Sequence, residues 1–137
     1  MVDPVFSFPI RVYWEDTDAG GVVYHASYLR FLERARTEWP RAQGIEQQAV
    51  KDSDDLVMVV REMRIDFLKP ARLDDLLAAT SVLAERRRAS FLVSQELFRG
   101  TDCLVRAEVR VACVTASQFR PRALPEWLVP ENRPGEA

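Results

Sequence analysis

The sequence predicts an α+β fold in which one antiparallel sheet wraps around a single long helix. Three observations point to it. Several segments alternate apolar and polar residues with the period of a strand, and one segment repeats apolar residues at helical spacing. There is no alternating strand–helix rhythm, so a doubly wound parallel sheet is excluded. A chain of 137 residues suits one domain, taken here as 1–137 with an irregular tail from about residue 120. With 47% apolar and 29% charged residues, it is expected to bury a core without metals or disulfides.

Phe6 to Trp14 is apolar and rich in β-formers, and reads as a strand. Pro9 cannot donate to a ladder, so that strand lies at an edge or Pro9 sits at its start. Glu15 to Gly21 is acidic, then glycine-rich, and reads as a loop. From Val22 onward Tyr24, Tyr28, Leu32, Ala35 and Trp39 recur at helical spacing, broadened by Leu29 and Phe31. Glu33, Arg34, Arg36 and Glu38 take the polar positions. Pro40 should stop or bend this helix, because it lacks an N–H and clashes with the preceding turn. The expectation is an earlier end or a bend near Arg36 and Glu38.

Gln43 to Asp55 is polar and reads as a short helix plus a loop. Four strands follow: Leu56 to Leu68, Leu76 to Glu85, Ala89 to Phe98 and Cys103 to Thr115. The last alternates most clearly, with Val105, Ala107, Val109, Val111 and Cys113 on one face and Arg106, Glu108 and Arg110 on the other. The tail carries four prolines from Arg120 onward and should fray at Pro134 to Ala137.

A net charge of −2 excludes a general nucleic-acid binder. The basic residues are almost all arginines, and local clusters of them could grip a phosphate bidentately. On one strand, Cys103 and Cys113 would stand roughly 33 Å apart at about 3.3 Å per residue, far beyond disulfide reach. Met1 to Ile10 has no basic start and does not read as a signal peptide. The longest aliphatic run, Leu56 to Val60, is too short to span a membrane. These features lead to the expectation of a cytoplasmic protein.

Several chemistries are absent. There is no G-x-S-x-G, no C-x-x-C and no phosphate-binding glycine loop with its lysine. His25 is the only histidine, so no H-E-x-x-H zinc site exists; neither a metal nor a cofactor is expected, because chemistry by a carboxylate and a helix dipole needs none. The dense segment is Glu15 to His25: three carboxylates, two glycines, then a helix start. Acidic residues there could simply cap the helix. Alternatively, the unpaired N–H groups of a helix start could stabilise an oxyanion, with a nearby carboxylate attacking a carbonyl or activating water.

The run D-T-D-A-G-G-V-V-Y-H-A-S-Y-L-R-F-L-E-R-A-R-T-E-W, from Asp16 to Trp39, closely resembles the signature of the hotdog-fold acyl-CoA thioesterases of the 4-hydroxybenzoyl-CoA thioesterase type. More narrowly, it is similar to the bacterial acyl-CoA thioesterases associated with the Tol-Pal cell-envelope system. Pro9 to Glu15, Pro70 to Asp75 and Pro121 to Pro125 extend the likeness over roughly Phe6 to Pro125. The resemblance implies a hotdog fold and hydrolysis of acyl-CoA to a free acid and coenzyme A. It implies Asp18 as nucleophile or general base, His25 as a participant, and backbone N–H groups near Tyr24 and His25 receiving the thioester oxygen. Arg87 and Arg88 match a basic pair that holds coenzyme A phosphates, the other reading being a solvated charged turn; Tyr24, Tyr28 and Phe31 are candidate acyl contacts, with core packing the expected role for most of them. It also implies a homodimer or homotetramer whose sheets join at an edge strand, such as the one near Phe6 or Cys103, with sites at the interface. The competing reading is a binding module for acyl carrier protein or lipid-synthesis enzymes at the cell envelope, with weak hydrolysis. A hotdog dehydratase is disfavoured, because the His-first motif of that group is absent.

Overall fold

The computed structural model describes residues 5–128. Five strands form one antiparallel sheet: β1 (Phe6–Arg11), β2 (Leu56–Phe67), β3 (Leu76–Arg86), β4 (Ser90–Arg99) and β5 (Asp102–Thr115). Their order across the sheet is β1-β3-β4-β5-β2. Helix α1 (His25–Arg41) lies on one face, and the short helix α2 (Gln47–Asp54) leads into β2. This is the hotdog fold.

The strand alternation of the sequence becomes the inner face of the sheet. Val105, Ala107, Val109, Val111 and Cys113 of β5 are all buried, and Phe91, Val93, Gln95 and Leu97 of β4 continue the layer. Phe31 and Leu32 of α1 are fully buried against it, each contributing about 1.5–3 kcal/mol through loss of apolar surface from water. Tyr24 and Leu29, expected to extend the apolar side of the helix, are 45% and 41% exposed in the protomer.

Three local expectations are corrected. β1 ends at Arg11, and Trp14–Asp16 form a 3-10 turn in place of the strand's last residues. The helix is not shortened by Pro40, which sits one residue from its end. There the ring forfeits a single N–H, while Ala42 still donates to the Glu38 carbonyl at 2.8 Å and Ile45 to the Pro40 carbonyl at 3.0 Å. Cys103 does not lie on an edge strand, because β5 is flanked by β4 and β2. The edges are β1, where Pro9 is tolerated, and β2.

The described part of the tail is irregular and held by hydrogen bonds. Arg122 N–H donates to the Cys113 carbonyl at 2.9 Å and Leu124 N–H to the Arg88 carbonyl at 2.7 Å. Leu128 is 1% exposed within the core formed by Trp39, Phe91 and Val93. The fraying expected for Pro134 to Ala137 lies outside the described residues. Cys103 and Cys113 are both unpaired, as their spacing on one strand requires. Among the described residues no helix is long and apolar enough to cross a membrane, and no cluster of metal-ligating side chains occurs.

Candidate active site

The loop before α1 is a small hairpin. Thr17 and Val23 form an antiparallel bridge, the Asp18 N–H donates to the Val22 carbonyl at 2.9 Å, and the Gly21 N–H donates to the Asp18 carbonyl at 3.0 Å. The three-residue loop Ala19-Gly20-Gly21 closes with Gly21 at φ +81°, the left-handed position that such loops require. The Asp18 carboxylate folds back over it, Oδ1 accepting the Gly20 N–H at 2.8 Å. Asp18 remains exposed.

None of the acidic residues caps α1. Asp16 is buried and accepts the Tyr13 N–H at 2.8 Å, which closes the 3-10 turn instead. The residue before the helix is Tyr24, whose side chain makes no capping bond. Its own N–H is committed to the Asp16 carbonyl at 2.8 Å. Tyr24 therefore offers no backbone donor for an oxyanion, which corrects that part of the expectation. The first N–H free to act is that of His25, at the positive end of the helix.

Aromatic contacts fix the helix start. The His25 ring packs 4.5 Å from Tyr24 and meets Phe67, at the end of β2, edge-on at 6.4 Å between centroids. Tyr28 lies 5.6 Å from the same Phe67. Its Oη accepts the N–H of the buried Ala71 at 3.0 Å, while the Ala71 carbonyl accepts from Val23 at 2.8 Å. Burial pushes the Tyr28 phenol up, the Ala71 hydrogen bond opposes this, and the charge of Asp18 adds to the rise. Tyr28 and Phe31 belong to the core, so of the three candidate acyl contacts only Tyr24 is open to a ligand.

Arg87 and Arg88 are exposed, but not beside Asp18. They sit in the β3–β4 turn, whereas the Asp18 loop adjoins the opposite end of β3, where Val12 N–H donates to the Asp75 carbonyl at 2.9 Å. Along the strand the two ends are roughly 33 Å apart, at about 3.3 Å per residue. Arg87 is also paired with Glu85. The chain thus places Asp18, Tyr24 and His25 on the segment that enters α1 and leaves the arginine pair elsewhere.

Sequence reading missed a second feature. A cavity of about 230 Å³ lies between the distal half of α1 and the sheet, walled by Trp39, Pro40, Met58, Phe91 and Leu128. Arg36, assigned to the polar face of the helix, is half-buried and lines this cavity. Its Nη1 donates to Gln95 Oε1 at 2.9 Å. Gln95 is fully buried and anchored by bonds from its Nε2 to the Leu32 carbonyl and Ser81 Oγ, both 3.0 Å. The signal was there: Gln95 is a polar residue on the inward, otherwise apolar row of β4.

A five-stranded antiparallel sheet around one central helix is the fold of a class of thioesterases. The chain matches the Thioesterase-like superfamily over residues 12–130, and it belongs to that family. It is 48% identical over 126 residues to the acyl-CoA thioesterase YbgC of Haemophilus influenzae, covering 92% of this chain and 93% of that one. It is 45% identical over 132 residues to the acyl-CoA thioester hydrolase YbgC of Escherichia coli, covering 96% and 98%. A crystal structure of a probable thioesterase from Bartonella henselae superposes with a TM-score of 0.85 at 38% identity, covering 89% of this chain and all of that one.

Proposed function

We propose that this protein hydrolyses acyl-CoA thioesters to a free carboxylic acid and coenzyme A, with Asp18 as the reacting carboxylate. The observation that carries this is the pairing of an exposed carboxylate with an uncapped helix start seven residues later. Asp18 Oδ1 is held by Gly20, which fixes the carboxylate without neutralising it. As nucleophile it would attack the thioester carbonyl, expel the coenzyme A thiolate and leave a mixed anhydride for water to open. As general base it would take a proton from the attacking water. In both routes the carbonyl oxygen gains negative charge, which the His25 N–H and the helix dipole favour. The His25 ring, fixed by Tyr24 and Phe67, orients water or substrate.

The working unit is a homodimer, or a homotetramer of such dimers. β2 is a twelve-residue edge strand whose outer side meets no other described strand. Such an edge is an aggregation hazard unless covered. Pairing with β2 of a second copy covers it and places that copy against His25 through Phe67. Arg87 and Arg88 would then hold coenzyme A phosphates at a site to which another copy contributes the carboxylate. The unpaired cysteines suit a reducing cytoplasm.

The test is thiol release from acetyl- through palmitoyl-CoA and benzoyl-CoA by wild type and Asp18→Asn. Turnover by wild type, with kcat lowered by about 100-fold or more in the variant at unchanged Tm, is expected. Equal turnover by both would remove Asp18 from the mechanism. No turnover by either would leave the binding-module reading.

A further inference from the structure

A positive charge stands in the wall of a cavity whose lining mixes apolar side chains with Glu33, Thr37, Gln43 and Gln47, and among the described residues no counter-charge is bonded to it. Among the described residues, the one hydrogen bond on the Arg36 guanidinium runs from Nη1 to a neutral amide, Gln95. That amide cannot turn away, because its nitrogen is held at two acceptors. Burial disfavours the charged guanidinium, and Glu33, which also lines the cavity, partly offsets this. Glu33 itself is solvent-exposed and forms no ion pair with Arg36 among the described residues. Its field is screened by water, whereas that of Arg36 enters a wall of Trp39, Phe91 and Val93. An anion entering beside Arg36 meets a planar donor held in place by Gln95, while the exposed Glu33 opposes it.

The space is small. Its volume of about 230 Å³ is nevertheless many times what a single water needs. This suits a short carbon chain with a carboxylate at its end. The cavity also adjoins the β2 edge through Met58 and Val60. Full-length antiparallel pairing of β2 with a second copy sets Leu56 of one chain opposite Phe67 of the other. The cavity of one copy then lies beside the His25 and Asp18 of its mate.

We propose that this cavity receives the acyl end of the substrate, and that Arg36 makes the enzyme select acyl groups that end in a carboxylate. The proposal rests on the dimeric thioesterase reading above, and its test separates the two. In the first arm, adipyl-CoA is compared with heptanoyl-CoA, which has a methyl end in place of the carboxylate. Wild type is expected to favour adipyl-CoA in kcat/KM by about tenfold, the size of one charge-assisted hydrogen bond. Arg36→Met should bring the ratio to about one, Arg36→Lys should recover part of it, and Glu33→Gln should raise it.

The second arm needs no turnover. Binding of hexanoate and of hexanol is followed through Trp39 fluorescence in a Trp14→Phe, Trp127→Phe background. Hexanoate should bind at least tenfold tighter than hexanol, and Arg36→Met should erase the difference. If hexanoate shows no such advantage, the carboxylate pocket is overturned. If it does, but the adipyl preference is absent or survives Arg36→Met, the assignment to the acyl end is overturned and the site is one for free acids. If no ester turns over, the thioesterase reading fails, while the binding arm still decides the pocket.

Discussion

Gly20 both holds and limits the Asp18 carboxylate: its N–H donates to Oδ1 at 2.8 Å, and a Cβ placed on it would stand 3.2 Å from that same oxygen. The backbone at Gly20 is not left-handed, so alanine is tolerated by the chain and resisted only by the carboxylate. Gly20→Ala is therefore expected to lower kcat by about tenfold or more, since small displacements of a reacting group are costly. The Tm should stay within about 3 °C of wild type, because the loss of chain entropy on folding is smaller for alanine. Steady-state kinetics beside calorimetry check both, and a large fall in Tm with unchanged kcat would contradict the geometry.

Tyr28 ties the helix to the segment before β3. In Tyr28→Phe the N–H of Ala71, a residue with no exposed surface, loses its acceptor. Leaving a buried donor unpaired costs about 1–3 kcal/mol. Urea unfolding should show a loss of that size with an unchanged slope.

The edge strand offers a test of assembly. Val60 is 51% exposed in the protomer and lies on β2. Val60→Lys places like charges near a two-fold axis and should yield a monomer by light scattering. If the site is completed by the second copy, activity falls in parallel with dimer content. A fully active monomer would show that one copy suffices.

Acid stability has an identifiable contributor. Burial pushes the Asp75 carboxyl up, but bonds from the Arg72 N–H at 2.9 Å and the Arg99 guanidinium at 2.8 Å outweigh it, so the folded carboxyl titrates below its ordinary value. A depressed carboxyl stabilises the fold above the unfolded value, about 3.9, and that stability is lost as pH falls through the folded value. Wild type should lose Tm below about pH 4 more steeply than Asp75→Asn, whereas at pH 7 the variant should be the less stable of the two. Parallel curves for the two proteins would exclude Asp75 as a contributor.

The alternation in β4 and β5, the helical repeat through Phe31 and Leu32, and the edge position of Pro9 could all be read before any coordinates, because each follows from local periodicity. So could the Asp18 to His25 segment, whose glycines and carboxylates mark a special loop. The committed N–H of Tyr24 could not, because its acceptor, the Asp16 carbonyl, depends on how the 3-10 turn folds back. The end of β1 at Arg11 was hidden for the same reason.

Sequence patterning alone therefore settled the fold class and the element order, since those depend on neighbours within a few residues, and it was the family resemblance that singled out Asp18 among the three carboxylates. Tertiary structure decided that Arg87 and Arg88 stand at the far end of β3 from Asp18, that β2 and not β5 joins β1 as an edge of the sheet, and that the half-buried Arg36 lines a cavity. Each of those depends on which strands pair and where a helix face comes to rest against residues some sixty positions away, as Arg36 does on Gln95. No local period of hydrophobicity carries that information.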